Sequence, residues 1–115
     1  MLPASNRMRS APQFRETTRR GIRIPSGAVV LHVLATGALE QPRVGLTIGK
    51  AVGNSVVRHR TARRIRAVFA SCVNDLPMGS LWVVRALPGA GESASLHDDV
   101  VSGIARARLK LESRP

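Results

Sequence analysis

The sequence predicts an α+β fold, one small central sheet with helices packed on it, in the order helix, strands, helix, strand, helix. Three observations carry this. Apolar residues alternate with period two over 27–35, 43–48 and 80–87, as in strands whose two faces differ. They recur at helical spacing over 54–72 and 96–111. Turn residues separate these stretches, and 115 residues make one domain with a modest core that needs no metal or disulfide to close it.

The elements follow in order. A short helix fits Ala11–Arg20, with Pro12 tolerated in its first turn, Phe14 and Thr18 one turn apart, and Gly21 ending it. The run 27–35 (GAVVLHVLA) puts Val29, Leu31 and Val33 on one face and Val30, His32 and Leu34 on the other. The turn-rich segment 36–42 (TGALEQP) predicts that the next strand, from Arg43, pairs antiparallel with this one. After it, Gly49 and Gly53 flank a sharp strand-to-helix turn, and Asn54 or Ser55 is placed to cap the helix that follows. Val57, Thr61, Ile65, Val68, Phe69 and Cys72 form its apolar stripe. Residues 75–79 (DLPMG) stop it. The third clear strand leads into PGAGESAS, whose composition predicts a mobile loop. In the last helix Leu96, Val100, Ile104, Ala107 and Leu111 share a face, Ser95 is the expected cap, and Asp98 and Asp99 suit the helix dipole.

Charge carries the functional signal. The formal net charge is +11, from 18 basic residues, 16 of them arginine, against 7 acidic ones. Residues 41–74 hold six Arg, one Lys and no carboxylate, whereas residues 75–115 are neutral overall. Arg58, Arg60, Arg63, Arg64 and Arg66 fall within nine residues of one helix and repel one another unless a polyanion neutralises them. Lys50 beside the helix start adds a phosphate-binding position. Arginine's planar fork suits phosphate better than lysine does.

Enzyme motifs are scarce. His32, His59 and His97 lack metal-ligand spacing, and the lone Cys72 reads as a small core residue in a reducing compartment. Gly45 to Ala51 resembles a P-loop only faintly: three residues separate the glycines, and Ala51 stands where a Mg²⁺-binding hydroxyl belongs. No apolar run is long enough to span a bilayer, and the first residues lack a secretory apolar region, so a cytoplasmic location is expected. These residues point to a small nucleic-acid binder without catalytic machinery, and do not choose the nucleic acid.

The ordered pattern Arg43-Val44-Gly45, Lys50, Val52-Gly53-Asn54, Arg58-His59-Arg60, Arg63-Arg64 and Arg66 resembles the signature of the protein subunit of bacterial ribonuclease P. Asn6 to Arg9, Phe14, Gly21 and the late strand from Trp82 to Pro88 extend the likeness over nearly the whole chain. The resemblance implies a single-domain α/β sandwich over 1–115, ordered α-β-β-β-α-β-α, with a strand–helix–strand crossover, left-handed in the family, joining 43–48 to 81–86. It implies a holoenzyme in which a catalytic RNA, with Mg²⁺ bound mainly by that RNA, removes the 5′ leader of precursor tRNA. The protein alone is not expected to be catalytic. Its implied partners are ribonuclease P RNA and precursor tRNA, with no DNA and no membrane. On this chain Lys50, Asn54, Arg58, His59, Arg60, Arg63, Arg64 and Arg66 would face RNA, and Phe14, His32, Arg43 and Thr47 would line the leader-binding cleft.

The chain departs from the family pattern at several positions. His59 replaces the central Asn of an Arg-Asn-Arg triplet, Ala51 and Ala62 stand where lysine is usual, Thr18 stands where a second cleft aromatic is common, and His32 where tyrosine is common. Leader contacts are therefore expected to rely less on stacking and more on arginine and hydrogen bonds. The rival readings are a structural RNA-binding protein of the ribosomal kind and a nuclease in its own right. The second is poor, because the basic window contains no carboxylate to hold a metal.

Overall fold

Strand pairing decides the architecture. The computed structural model describes residues 2–113. Helix α1 (Ala11–Arg20) precedes strands β1 (Ile22–Ser26), β2 (Val29–Ala35) and β3 (Arg43–Thr47), helix α2 (Ser55–Cys72), strand β4 (Ser80–Ala86) and helix α3 (Leu96–Glu112). This is the expected order. The sheet runs β1-β2-β4-β3.

That order corrects the expected pairing of the second and third strands. β2 pairs antiparallel with β1 and β4, and β3 pairs parallel with β4 on the far side. Residues 36–42 do not form a tight hairpin. They pass the end of β4, held there by Gly79 N–H to Glu40 O (2.7 Å) and by the Thr36 hydroxyl to Gly79 O (2.8 Å). Helix α2 is thus the crossover between the parallel strands β3 and β4. The hairpin partner of β2 is instead β1, through a turn in which Gly27 has φ +56°. β1 is inconspicuous in sequence because it is five residues long and contains Pro25, which is tolerable on an edge strand.

Parity sorts the side chains into two layers. Val29, Leu31 and Val33 of β2 and Trp82 and Val84 of β4 meet Ile65, Val68 and Phe69 of α2 and Val100 and Ile104 of α3 in the main core. Trp82 is fully buried, packs edge-on against Phe69 at 5.9 Å between ring centres, and donates its indole N–H to Ser80 Oγ at 2.8 Å. On the opposite face Met8, Leu81 and Val83, with Phe14 and Leu34 against them, make a smaller cluster under α1.

Two local expectations change. Ser95 occupies the start of α3, but its side chain makes no capping bond; it donates to Asp99 Oδ2 instead. Asp99 is busy across the fold, accepting from the Ala28 N–H at 3.0 Å, while its carbonyl accepts from the Ser26 hydroxyl at 2.6 Å. The glycine-rich loop after β4 is not free. Ala90 and Gly91 are buried in a short 3₁₀ turn, and Arg64 donates to the carbonyls of Gly91 and Ser93. Composition alone does not register that anchor.

Candidate RNA interface

The basic helix begins where β3 ends. Asn54 caps it, its Oδ1 accepting from the Val57 N–H at 3.0 Å, and Lys50 stands exposed in the preceding turn. The apolar side of α2 is used up in the core, so its arginines face outward. His59, Arg60 and Arg63 are exposed, and Arg58, Arg64 and Arg66 are half-buried. Among the described residues the ion pairs are Glu16 with Arg20 and His97 with Asp98, so no carboxylate neutralises the α2 arginines.

The arginines are not equivalent. Arg64 turns its guanidinium onto the loop, at 2.8 Å from Ser93 O. Arg58, with its Nε buried and unpartnered, and Arg66 flank a cleft of about 350 Å³ with His59, Ser55, Ala62, Leu46 and Ile48, between the end of β3 and the first turns of α2. Arg66 also reaches the edge of β3, where it lines a second hollow of about 240 Å³ with Arg7, Arg9, Phe14 and Gly45. Burial lowers the pKa of Arg66, and the neighbouring charge of Arg7 lowers it further.

Arg7 and Arg9 are functional candidates that the sequence reading left out of the site. The Met8 N–H donates to Val44 O at 2.9 Å, and Arg7 bridges Val44 in parallel, so the basic lead-in runs beside β3 like a strand. Its pairing partner is distant in sequence. Only the Asn6 to Arg9 likeness hinted at it.

The four cleft candidates lie on the face of the sheet away from α2. Phe14 rests on Gly45, where an added Cβ would collide with its ring. Arg43 and Thr47 flank Gly45 on β3 and share its face by parity. Arg43 has a buried Nε without a partner. His32 stands two strands away in the same row, since His32 pairs with Val83 and Val83 with Gly45. It is 9 % exposed, its Nδ1 has no hydrogen-bond partner, and its pKa is lowered by burial and then by Arg23 and Arg85. No cluster of three His, Cys, Asp or Glu side chains occurs among the described residues.

A small α+β domain with an acid-free arginine helix that continues around a sheet edge onto an open face is a nucleic-acid-binding protein. Comparison with known proteins specifies the kind. The family profile described as Ribonuclease P matches residues 2–108. The ribonuclease P protein component of Beutenbergia cavernae is 46% identical, covering 100% of this chain and 98% of its own length. That of Mycobacterium sp. strain KMS is 41% identical, covering 98% of each. The fold matches a solved Staphylococcus aureus RNase P protein mutant with a TM-score of 0.82 at 18% identity, over 90% of this chain and 88% of that one. It also matches the Thermotoga maritima RNase P protein with a TM-score of 0.66 at 20% identity, over 91% and 93%. The chain belongs to the ribonuclease P protein component family, the protein subunit of the endoribonuclease holoenzyme that processes tRNA 5′ leaders. Its partner is RNA.

Proposed function

We propose that this protein uses two joined surfaces for that work. Lys50, Asn54, Arg58, His59, Arg60, Arg63 and Arg66, with Arg64 as the anchor of the helix, face the catalytic RNA. Phe14, His32, Arg43 and Thr47 receive the leader of precursor tRNA. The observation that carries this reading is the position of Arg66: it lines the α2 cleft and also the hollow that contains Phe14. One unbroken basic belt can therefore grip both RNAs and hold the leader at a fixed place relative to the catalytic RNA.

The chemistry belongs to the RNA partner, whose Mg²⁺ supports phosphodiester hydrolysis. The protein's part is to neutralise phosphate and to position. Each arginine that meets a phosphate releases counterions, which gives affinity that falls steeply with salt. A polar, histidine-containing open face with one aromatic ring suits single-stranded RNA read by stacking and hydrogen bonds. The setting is the cytoplasm, in keeping with the absence of any helix long and apolar enough to cross a membrane among the described residues.

The test is precursor tRNA cleavage at low Mg²⁺ with catalytic RNA alone, protein alone and both together. Efficient cutting to the mature 5′ end by the mixture only is the expected result. Protein that binds RNA without stimulating cleavage would overturn the proposal.

A further inference from the structure

The open face of the sheet carries two arginines that the two surfaces above do not use. Arg23 of β1 is the direct cross-strand partner of His32. Arg85 of β4 lies one step diagonal to it, since Val83 pairs with His32 and Arg85 with Val30. Direct pairing puts Cβ atoms about 5 Å apart, and a diagonal neighbour stays within reach of a long side chain. All three point to the same face by parity. Both arginines are exposed, and neither has a carboxylate partner among the described residues.

Between them His32 is nine-tenths buried, with Nδ1 unpartnered. A buried polar atom left without a partner is costly, and a ligand that supplies one removes the cost. α1 packs over part of this face and brings Arg15, Glu16, Arg19 and Arg20; all four are exposed, and Glu16 faces Arg20 at 3.7 Å. The charges that reach the imidazole are Arg23 and Arg85. Two guanidinium forks around an imidazole edge match an anion with several acceptor oxygens rather than a base edge.

We propose that Arg23, His32 and Arg85 form a seat for one phosphodiester group of the leader strand. This rests on the reading of the open face as the leader surface. The Phe14 ring, reaching down from α1, rests on Gly45, which is two strands from His32 in the same row and roughly 10 Å off at the usual strand spacing, so a strand that stacks on Phe14 can place a nearby phosphate in the seat. In the free protein burial and the two arginines keep the ring neutral. A bound phosphate offsets both arginines and favours the protonated ring, so leader binding takes up a proton and tightens as the pH falls from 8 toward 6.

The experiment uses the reconstituted holoenzyme and precursor tRNAs carrying a single neutral methylphosphonate at each leader linkage in turn. The expected result is one linkage where neutralisation weakens wild-type binding about tenfold but has no further effect in Arg85→Gln, Arg23→Gln or His32→Gln. Affinity for precursor tRNA should also rise at low pH in the wild type and stay flatter in His32→Gln, while mature tRNA shows no such difference. The exposed arginine variants keep the test valid if His32→Gln folds poorly. Equal losses at every linkage in wild type and variants would overturn the seat while leaving the leader surface standing, provided that shortening the leader still weakens binding. No effect of the leader on wild-type affinity would overturn both.

Discussion

The tip of the Phe14 ring sits against Gly45, and the missing side chain of Gly45 is what lets it do so. The contact joins α1 to β3 and sets the depth of the open face beside Arg66. Gly45→Ala should push the ring outward at a cost of about 1–3 kcal/mol, the usual penalty of overpacking. Urea denaturation measures the stability loss, and the holoenzyme should lose more affinity for precursor than for mature tRNA.

The α2 arginines divide into free and committed groups, and salt should separate them. Arg60→Ala and Arg66→Ala should each weaken binding to the catalytic RNA and reduce the slope of log K against log salt by about one. Arg64→Ala, whose guanidinium holds the loop at Ser93, should change the slope less and lower the melting temperature more. An unchanged slope in both free variants would mean that α2 does not face phosphate.

Ser80 accepts the only hydrogen bond of the buried Trp82 indole. Ser80→Ala should strand that N–H inside the core and cost about 1–3 kcal/mol. Calorimetry should show a Tm several degrees lower, with RNA affinity unchanged once the protein is folded.

His32 links stability to pH in the free protein. Its folded pKa is lowered from 6.5, so the unfolded chain takes its proton more readily. The stabilisation is complete above pH 6.5 and is lost as pH falls through that value. His32→Leu should remove this share of the acid sensitivity, seen as a shallower fall in urea midpoint between pH 7 and pH 5.

Cys72 is half-buried, and burial pushes its thiol pKa up, with Arg108 opposing and Asp75 adding to the rise. Alkylation by iodoacetamide at pH 8 should be slow compared with a free thiol, and slower still in Arg108→Ala. Fast labelling in the folded wild type would contradict the burial.

Much of this was legible in the chain itself because it depends on local order. Two-residue alternation assigned Val29, Leu31 and Val33 to one face and His32 to the other. Helical spacing separated Ile65 and Phe69 from Arg60 and Arg63, and the acid-free window 41–74 marked the polyanion surface. The ordered motif from Arg43 to Arg66 went further and named the family, since so many residue types at fixed spacing do not recur by charge alone.

Tertiary structure decided which strands are neighbours. Alternation tells a strand which side is wet, and says nothing of who lies beside it, because pairing is chosen by packing among distant segments. β4 enters between β2 and β3, and that insertion places Arg85 diagonal to His32, across it from Arg23, and puts Gly45, on which Phe14 rests, two strands from His32. The same long-range pairing brings Arg7 to Arg66 and draws Arg64 away from solvent to the loop. The sequence by itself determined the elements, their faces and the charge. The fold determined which charges stand together.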